Sequence, residues 1–166
     1  MQKWLSIGIL STAIFALSAC SDTQEEGAKQ GDGYYSEGEL IQPEATPGSY
    51  EDLVLSVGDR VFFDTDSSRL NAEATRQVEA WAQWLQTYPT VGVTIEGHAD
   101  ERGTREYNYA LGDRRANSIK RYLVQLGIDN HRLQTTSFGK DRPEVLGSDE
   151  ASWAQNRRGV IVFRAK

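Results

Sequence analysis

The sequence predicts an α/β (α+β) fold of two layers, with helices packed on one small mixed sheet in the order βαβαβ(α)β. Residues 91–98 ("VGVTIEGH") carry apolar side chains at every second position, as in a strand with one buried face. Residues 71–88 carry them three or four positions apart, as in an amphipathic helix, and Pro89 ends that pattern. The 166 residues have room for one such domain and for extensions.

The other elements continue this alternation. The stretch "RVFFD" (60–64) predicts the first strand, and the Asp and Ser residues after it are typical of a turn. A helix is predicted from Thr104 to Leu126, where Gly127 ends it. The domain is completed by a strand at 132–139, a short helix at 148–156 and a closing strand at 159–165.

The first 19 residues have the pattern of a secretory signal peptide. Lys3 makes the start basic, residues 4–17 are mostly apolar, and small residues follow at 18–19. An uncleaved anchor would need about 20 apolar residues, and this run is shorter. We therefore predict that residues 1–19 are removed on export.

Cys20 is the only cysteine, so no disulfide can form within the chain. The preceding residues give "LSAC", which resembles the bacterial lipobox, whose cysteine becomes the lipidated first residue of the mature protein. The resemblance implies acylation of Cys20, although a free thiol is the alternative. Ser21, rather than an Asp, follows the cysteine, which favours the outer membrane as the location, with the folded domain in the periplasm.

Residues 20–50 are predicted to be a lipidated N-terminus and a disordered acidic tether. Residues 21–50 are rich in Gly and contain seven acidic residues and one lysine, which gives a net charge of −6. The predicted domain, residues 51–166, has 16 basic and 17 acidic residues and is nearly neutral. A near-neutral domain argues against nucleic acid as a partner. With two histidines in the chain, no metal site or cofactor is predicted.

Arg115 interrupts the apolar stripe of the predicted 104–126 helix, because it lies four residues after Leu111 and four before Ile119. A buried, unpaired guanidinium costs several kcal/mol. The nearest plausible partner is Asp100, on the loop that enters this helix. Ligands of α/β sheets bind where strands end and helices begin, so this pair is a candidate site.

Two interpretations of the pair remain open. In one, Asp100 and Arg115 form a buried salt bridge that holds the loop. In the other, both face a cleft and together bind a zwitterion, the carboxylate taking an ammonium and the guanidinium a carboxylate. In the second case both side chains are solvated, and Asp100→Asn would cost folding about 1 kcal/mol or less.

Four motifs carry a resemblance to a known family: "FDTDSSRL", "VTIEGHADERGTREYNYALGDRRANSIKRYL", "SFGKDRP" and "WAQNRR". They closely resemble the peptidoglycan-associated lipoproteins of the Tol–Pal system, within the larger OmpA C-terminal-like family, over nearly the whole predicted domain. The resemblance implies that fold and non-covalent binding to peptidoglycan through the meso-diaminopimelate of the stem peptide. It assigns recognition to Asp100 and Arg115.

The resemblance also carries over further pocket residues, which are Phe63, Asp64, Gly103, Thr104, Asn108, Leu111 and Arg158. The side chains of Arg102, Arg105 and Arg114 are instead expected to be solvated or to contact partner proteins. The implied partners are TolB and TolA, and the implied role is to keep the outer membrane attached and to support constriction at division.

Two rival classes are less consistent with the residues. A wall hydrolase would use His98, Asp100 and Glu101, but the sequence supplies neither a positioned nucleophile nor a metal set, so no enzyme is predicted. A flagellar stator would need a charged membrane-spanning helix, which the sequence does not contain.

Overall fold

Residues 45–164 are described by the structure, a computed structural model. The predicted signal peptide, Cys20 and most of the tether lie outside this range. The elements in chain order are α1 (Tyr50–Val57), β1 (Arg60–Phe62), α2 (Ala72–Thr87), β2 (Val93–His98), α3 (Arg105–Gln125), a 3-10 turn (Asn130–Arg132), β3 (Leu133–Gly139), α4 (Glu150–Asn156) and β4 (Arg158–Phe163). No helix in the described range combines the length and the apolar character needed to cross a membrane.

The four strands form one mixed sheet in the order β1-β4-β2-β3. Strands β2 and β3 are parallel and are connected through α3, whereas β4 runs antiparallel to both of its neighbours. The side chains of Val93 and Ile95 alternate with half-buried polar neighbours along β2 and join the core with Trp81 and Ile119. The predicted fold class is confirmed.

Helix ends agree with the capping residues in the sequence. Asn71 precedes α2 and accepts a hydrogen bond from the backbone N–H of Ala74 (2.9 Å). Thr104 caps α3 in the same way, through the N–H of Tyr107 (3.2 Å). At the other end of α3, Gly127 has a φ of 92°, which favours glycine.

Strand β2 and helix α3 approach each other at two glycines. A Cβ atom on Gly97 would lie 1.8 Å from the carbonyl oxygen of Gly112, which no side chain could tolerate. The contact holds the first half of α3 against the C-terminal end of β2. Asp100, two residues beyond that strand, is thereby brought next to the side chains of α3.

Helix α1 was not predicted. Its N-cap is Ser49, and its one buried residue, Leu53, packs into the core. Asp52 accepts hydrogen bonds from the N–H of Gly48 (2.9 Å) and from the indole of Trp84 (3.2 Å). Ser49 and Tyr50, which the sequence assigned to the tether, therefore belong to the start of α1.

Candidate functional site

An open cavity of about 270 Å³ lies where the β1–α2 loop, the β2–α3 loop and the start of α3 meet. Its position beyond the end of β2 and at the beginning of a helix is the one predicted from the sheet topology. The residues that line it are Thr65, Asp66, Asp100, Arg102, Gly103, Tyr107, Asn108 and Leu111.

Arg115 lies fully buried beside this cavity, with 0% of its surface exposed. Its guanidinium donates three hydrogen bonds, to the carbonyl oxygens of Asp64 (3.1 Å), Ser67 (2.8 Å) and His98 (2.7 Å). Its Cζ atom lies 5.1 Å from the centre of the Phe63 ring. Burial lowers the pKa of Arg115 to about 10, so the side chain keeps its charge at neutral pH.

This arrangement differs from the geometry that each interpretation of the Asp100–Arg115 pair assumed. Within residues 45–164 the two side chains form no ion pair, and the partners of Arg115 are neutral carbonyl groups. Arg115 does not face an open cleft either, because the turn at 64–67 covers it. The structure thus has a buried cation without a countercharge in contact, next to a cavity that Asp100 lines.

Asp100 is 7% exposed, and the side chains of two arginines lie next to its carboxylate. Arg102 donates from its backbone N–H (3.1 Å), from Nε (3.1 Å) and from Nη2 (2.6 Å). The Nη1 atom of Arg157 lies 3.6 Å from Oδ2. Burial alone would raise the pKa of Asp100, but the hydrogen bonds from Arg102 and the charges of both arginines hold it below its usual value.

The position of Arg102 differs from the sequence-based expectation that it is solvated. Its side chain is 37% exposed, yet it is paired with Asp100 and stacks on the ring of Trp153, 4.2 Å from the centroid. Arg105 behaves as expected, because it is largely exposed and pairs with the exposed Asp141 (2.8 Å).

The start of α3 supplies the other predicted pocket residues. Gly103 has a φ of 88°, and its carbonyl accepts a hydrogen bond from Lys140 (2.7 Å). Asn108 is buried and donates to the carbonyl of Arg102 (2.7 Å), which fixes the loop. Leu111 contributes the apolar part of the lining. Thr104, the cap, is exposed beside the cavity.

Phe63 and Asp64 do not line the cavity, and they contact the side chain of Arg115 instead. Phe63 is 3% exposed and packs against the guanidinium of Arg115. Asp64 has an exposed side chain, and it is its carbonyl oxygen that accepts from Arg115. Both residues therefore shape the surroundings of the buried cation.

The structure does not bring Arg158 to this cavity. Arg158 is buried in β4 and interacts with Glu144 (3.3 Å) and with the carbonyl of Arg142 (3.3 Å). Its neighbour Arg157 approaches Asp100 instead. The motif "NRR" contains both arginines, but which of them faces the site depends on the phase of the strand, which the motif alone does not fix. The site residues that the sequence missed are Thr65, Asp66, Arg102, Tyr107 and Arg157.

His98 is buried behind the site and has an unusual ionisation. Burial and the nearby charge of Arg158 lower its pKa to about 4, so the ring is neutral at physiological pH. Within the described range, neither ring nitrogen has a hydrogen-bond partner. No group of three or more metal-ligating side chains in residues 45–164 could hold a metal ion.

A family model described as "OmpA family" matches residues 62–157, which contain the whole site. The chain belongs to the OmpA family. Relatives of this OmpA-family chain include the peptidoglycan-associated lipoprotein of Rhizobium meliloti, 54% identical over 72% of this chain and 68% of that protein. The protein of the same name from Haemophilus influenzae is 36% identical over 98% of this chain and 100% of its own length.

Solved structures agree with this placement. The crystal structure of the peptidoglycan-associated lipoprotein from Burkholderia pseudomallei has 42% identity and a TM-score of 0.62, and the match covers 64% of this chain and 90% of that one. The C-terminal domain of MotB from Helicobacter pylori has the same fold, with a TM-score of 0.61 at 24% identity over 65% of this chain and 85% of that domain. The predicted family is confirmed.

Proposed function

We propose that this OmpA-family chain is an outer-membrane lipoprotein that binds peptidoglycan non-covalently, through the meso-diaminopimelate of the stem peptide. Its relatives are peptidoglycan-associated lipoproteins. Proteins of this kind are structural and bind the wall, and the chain is not an enzyme.

The observation that carries the proposal is the buried Arg115 guanidinium, which has only neutral partners, next to the Asp100 carboxylate. A buried cation without a countercharge attracts an anion strongly, because desolvation is already complete in the free protein. The ligand carboxylate would replace the carbonyl groups that the turn at 64–67 offers to Arg115. Asp100 would take the ammonium group of the same zwitterionic centre.

We also propose how the chain is attached to the membrane and which proteins it contacts. Acylated Cys20 would hold the chain in the outer membrane, and the tether of about 30 residues would reach roughly 30 Å when relaxed and up to about 100 Å when extended. TolB and TolA are the proposed protein partners, in a Tol–Pal complex that maintains the outer membrane and supports division. Cys20→Ala should release the folded domain from the membrane fraction, and unchanged membrane partition would contradict the anchor.

Wall binding is tested by co-sedimentation with purified diaminopimelate-containing sacculi, using the full chain in detergent. Arg115→Lys should lose at least about tenfold in binding, because lysine cannot present the planar pair of donors that fits a carboxylate. Binding within about threefold of wild type would mean that Arg115 is only structural.

Arg132→Lys is the matched control. Arg132 also donates to three carbonyl groups, those of Leu85, Tyr88 and Val91, but at the other end of the sheet. It should lose stability without losing wall binding. Loss of binding in both variants would indicate a folding effect, and release of soluble muropeptides by wild type would contradict a purely binding function.

A further inference from the structure

The Asp100 carboxylate is already occupied by a side chain of the same protein. Arg102 contacts both carboxylate oxygens, with Nε 3.1 Å from Oδ1 and Nη2 2.6 Å from Oδ2. This is the two-donor geometry that makes arginine–carboxylate pairs strong. Any ammonium group that binds Asp100 must therefore share the carboxylate or displace Arg102.

The two arginines on Asp100 are held very differently. Arg157 is buried and fixed, because Nε donates to the carbonyl of Phe63 (3.1 Å) and Nη2 to Glu150 (2.7 Å). Its Nη1 atom, 3.6 Å from Asp100, has no hydrogen-bond partner among residues 45–164. Arg102 lies on the cavity side and is 37% exposed. Only Arg102 can leave without opening the core, and Arg157 would stay behind Asp100.

Two other groups already contact the Arg102 guanidinium while it is paired with Asp100. The ring of Trp153 lies 4.2 Å from its Cζ atom, and a Glu150 oxygen lies 3.9 Å from Nη1. An aromatic face and a carboxylate both stabilise a guanidinium. Trp153 is itself held by a hydrogen bond from its indole to Glu101 (3.1 Å). Arg102 can therefore give up Asp100 and remain paired on α4.

We propose that Arg102 is a displaceable stand-in for the ligand's ammonium group: it occupies Asp100 in the free protein and gives it up when the ligand binds, while it keeps its contacts with Trp153 and Glu150. This inference rests on the proposed binding of a zwitterionic stem-peptide group at Asp100. Arg102 keeps the carboxylate ionised and in place while the site is empty. It also competes with the ligand, so the wild-type affinity is lower than the pocket alone would give.

The exchange has a measurable consequence for salt dependence. In wild type, the ammonium replaces a guanidinium, so the number of charge pairs at Asp100 is the same before and after binding. In Arg102→Gln the ammonium forms a pair that did not exist before. Binding by this variant should therefore weaken more steeply as ionic strength rises.

The test is calorimetric titration of a soluble meso-diaminopimelate-containing disaccharide tetrapeptide into the full chain in detergent. Arg102→Gln should bind about three- to fivefold more tightly than wild type, which is the range expected for removal of one partly exposed competing pair. Arg105→Gln is the matched control, since Arg105 lies three residues further along the chain, at the start of α3, and pairs with Asp141 rather than Asp100. Its affinity should not change.

Trp153→Leu provides a second, opposite change. It removes a contact that would hold Arg102 once it has left Asp100, so it should weaken binding when Arg102 is present, with much less effect in the Arg102→Gln background. Weaker binding by Arg102→Gln would make Arg102 a ligand contact, and unchanged binding would mean that it does not compete. Either result overturns the inference while leaving the proposed function intact. Failure of wild type to bind the fragment removes both.

Discussion

Arg115 and Arg132 lie at opposite ends of the parallel β2–β3 pair, and they bind the backbone in the same way. Each donates to three carbonyl groups. Arg132 is half-buried, and burial lowers its pKa in the same direction as that of Arg115. Only Arg115 is fully buried and adjacent to an acidic cavity.

The comparison shows that capping of carbonyl groups is a structural use of arginine that does not by itself indicate a binding site. What distinguishes the Arg115 end is the combination of complete desolvation, a nearby carboxylate and an open cavity. The Arg132 end has the same donors in a partly solvated place, where water can screen the charge. Matched substitutions, one near Arg115 and one near Arg132, therefore separate the effects of burial, charge and packing.

The largest expected effect is a loss of stability when a glycine is replaced near the Arg115 end of the β2–β3 pair, compared with a glycine near the Arg132 end. Gly97→Ala would place a methyl group 1.8 Å from the carbonyl oxygen of Gly112, and neither backbone can move easily, so we expect a loss of at least about 3 kcal/mol in unfolding free energy. Gly127→Ala meets no atom within 4 Å and is strained only by its φ of 92°. It should cost about 1 kcal/mol in urea denaturation. Equal losses would contradict the close contact.

The next effect is on the pH dependence of stability, where His98 and His131 are compared. The charged groups that face His98 are Glu96 on β2, Arg158 on β4, and Arg142 and Glu144 on the loop before α4. Because its pKa falls from 6.5 unfolded to about 4 folded, the neutral ring stabilises the protein above pH 6.5. That contribution, up to about 3 kcal/mol, is lost as the pH falls from 6.5 towards 4.

His98→Gln should therefore flatten the loss of stability between pH 6.5 and 5, measured by denaturation at each pH. His131→Gln, a change at an exposed position near the other end, is the control and should leave the slope as in wild type. An unchanged slope in His98→Gln would show that the buried ring does not control this transition.

Asp100→Asn is expected to lower stability less than Gly97→Ala does, although its effect on binding is large. Because Asp100 is buried and faces Arg157, we expect about 1–3 kcal/mol, more than for the solvated pair that the sequence indicated. Affinity for a diaminopimelate-containing muropeptide should fall at least about tenfold, since the ammonium loses its countercharge. A muropeptide with lysine in place of diaminopimelate should not distinguish wild type from the variant.

Capping and periodicity were sufficient to predict most of the fold. Asn71 and Thr104 are local signals that start helices α2 and α3, and Gly127 is a local signal that stops α3. These helix bounds agree with the sequence-based prediction. Helix α1 was missed because only Leu53 is buried along it, and the energy that holds it comes from packing against the rest of the domain rather than from its own pattern. The inward position of Arg115 was predicted because helical spacing is also a local property.

The sequence by itself determined the alternation of strands and helices, the inward direction of Arg115 and the membership of the family. The tertiary structure alone decided that carbonyl groups from the β1–α2 turn accept hydrogen bonds from Arg115. It also decided that Arg157, rather than Arg158, approaches Asp100, and that Arg102 occupies the Asp100 carboxylate. These contacts join segments up to 57 residues apart, from Asp100 to Arg157. Spacing along the chain governs neighbours on one helix or strand, whereas contacts between loops depend on how the whole sheet and its helices pack.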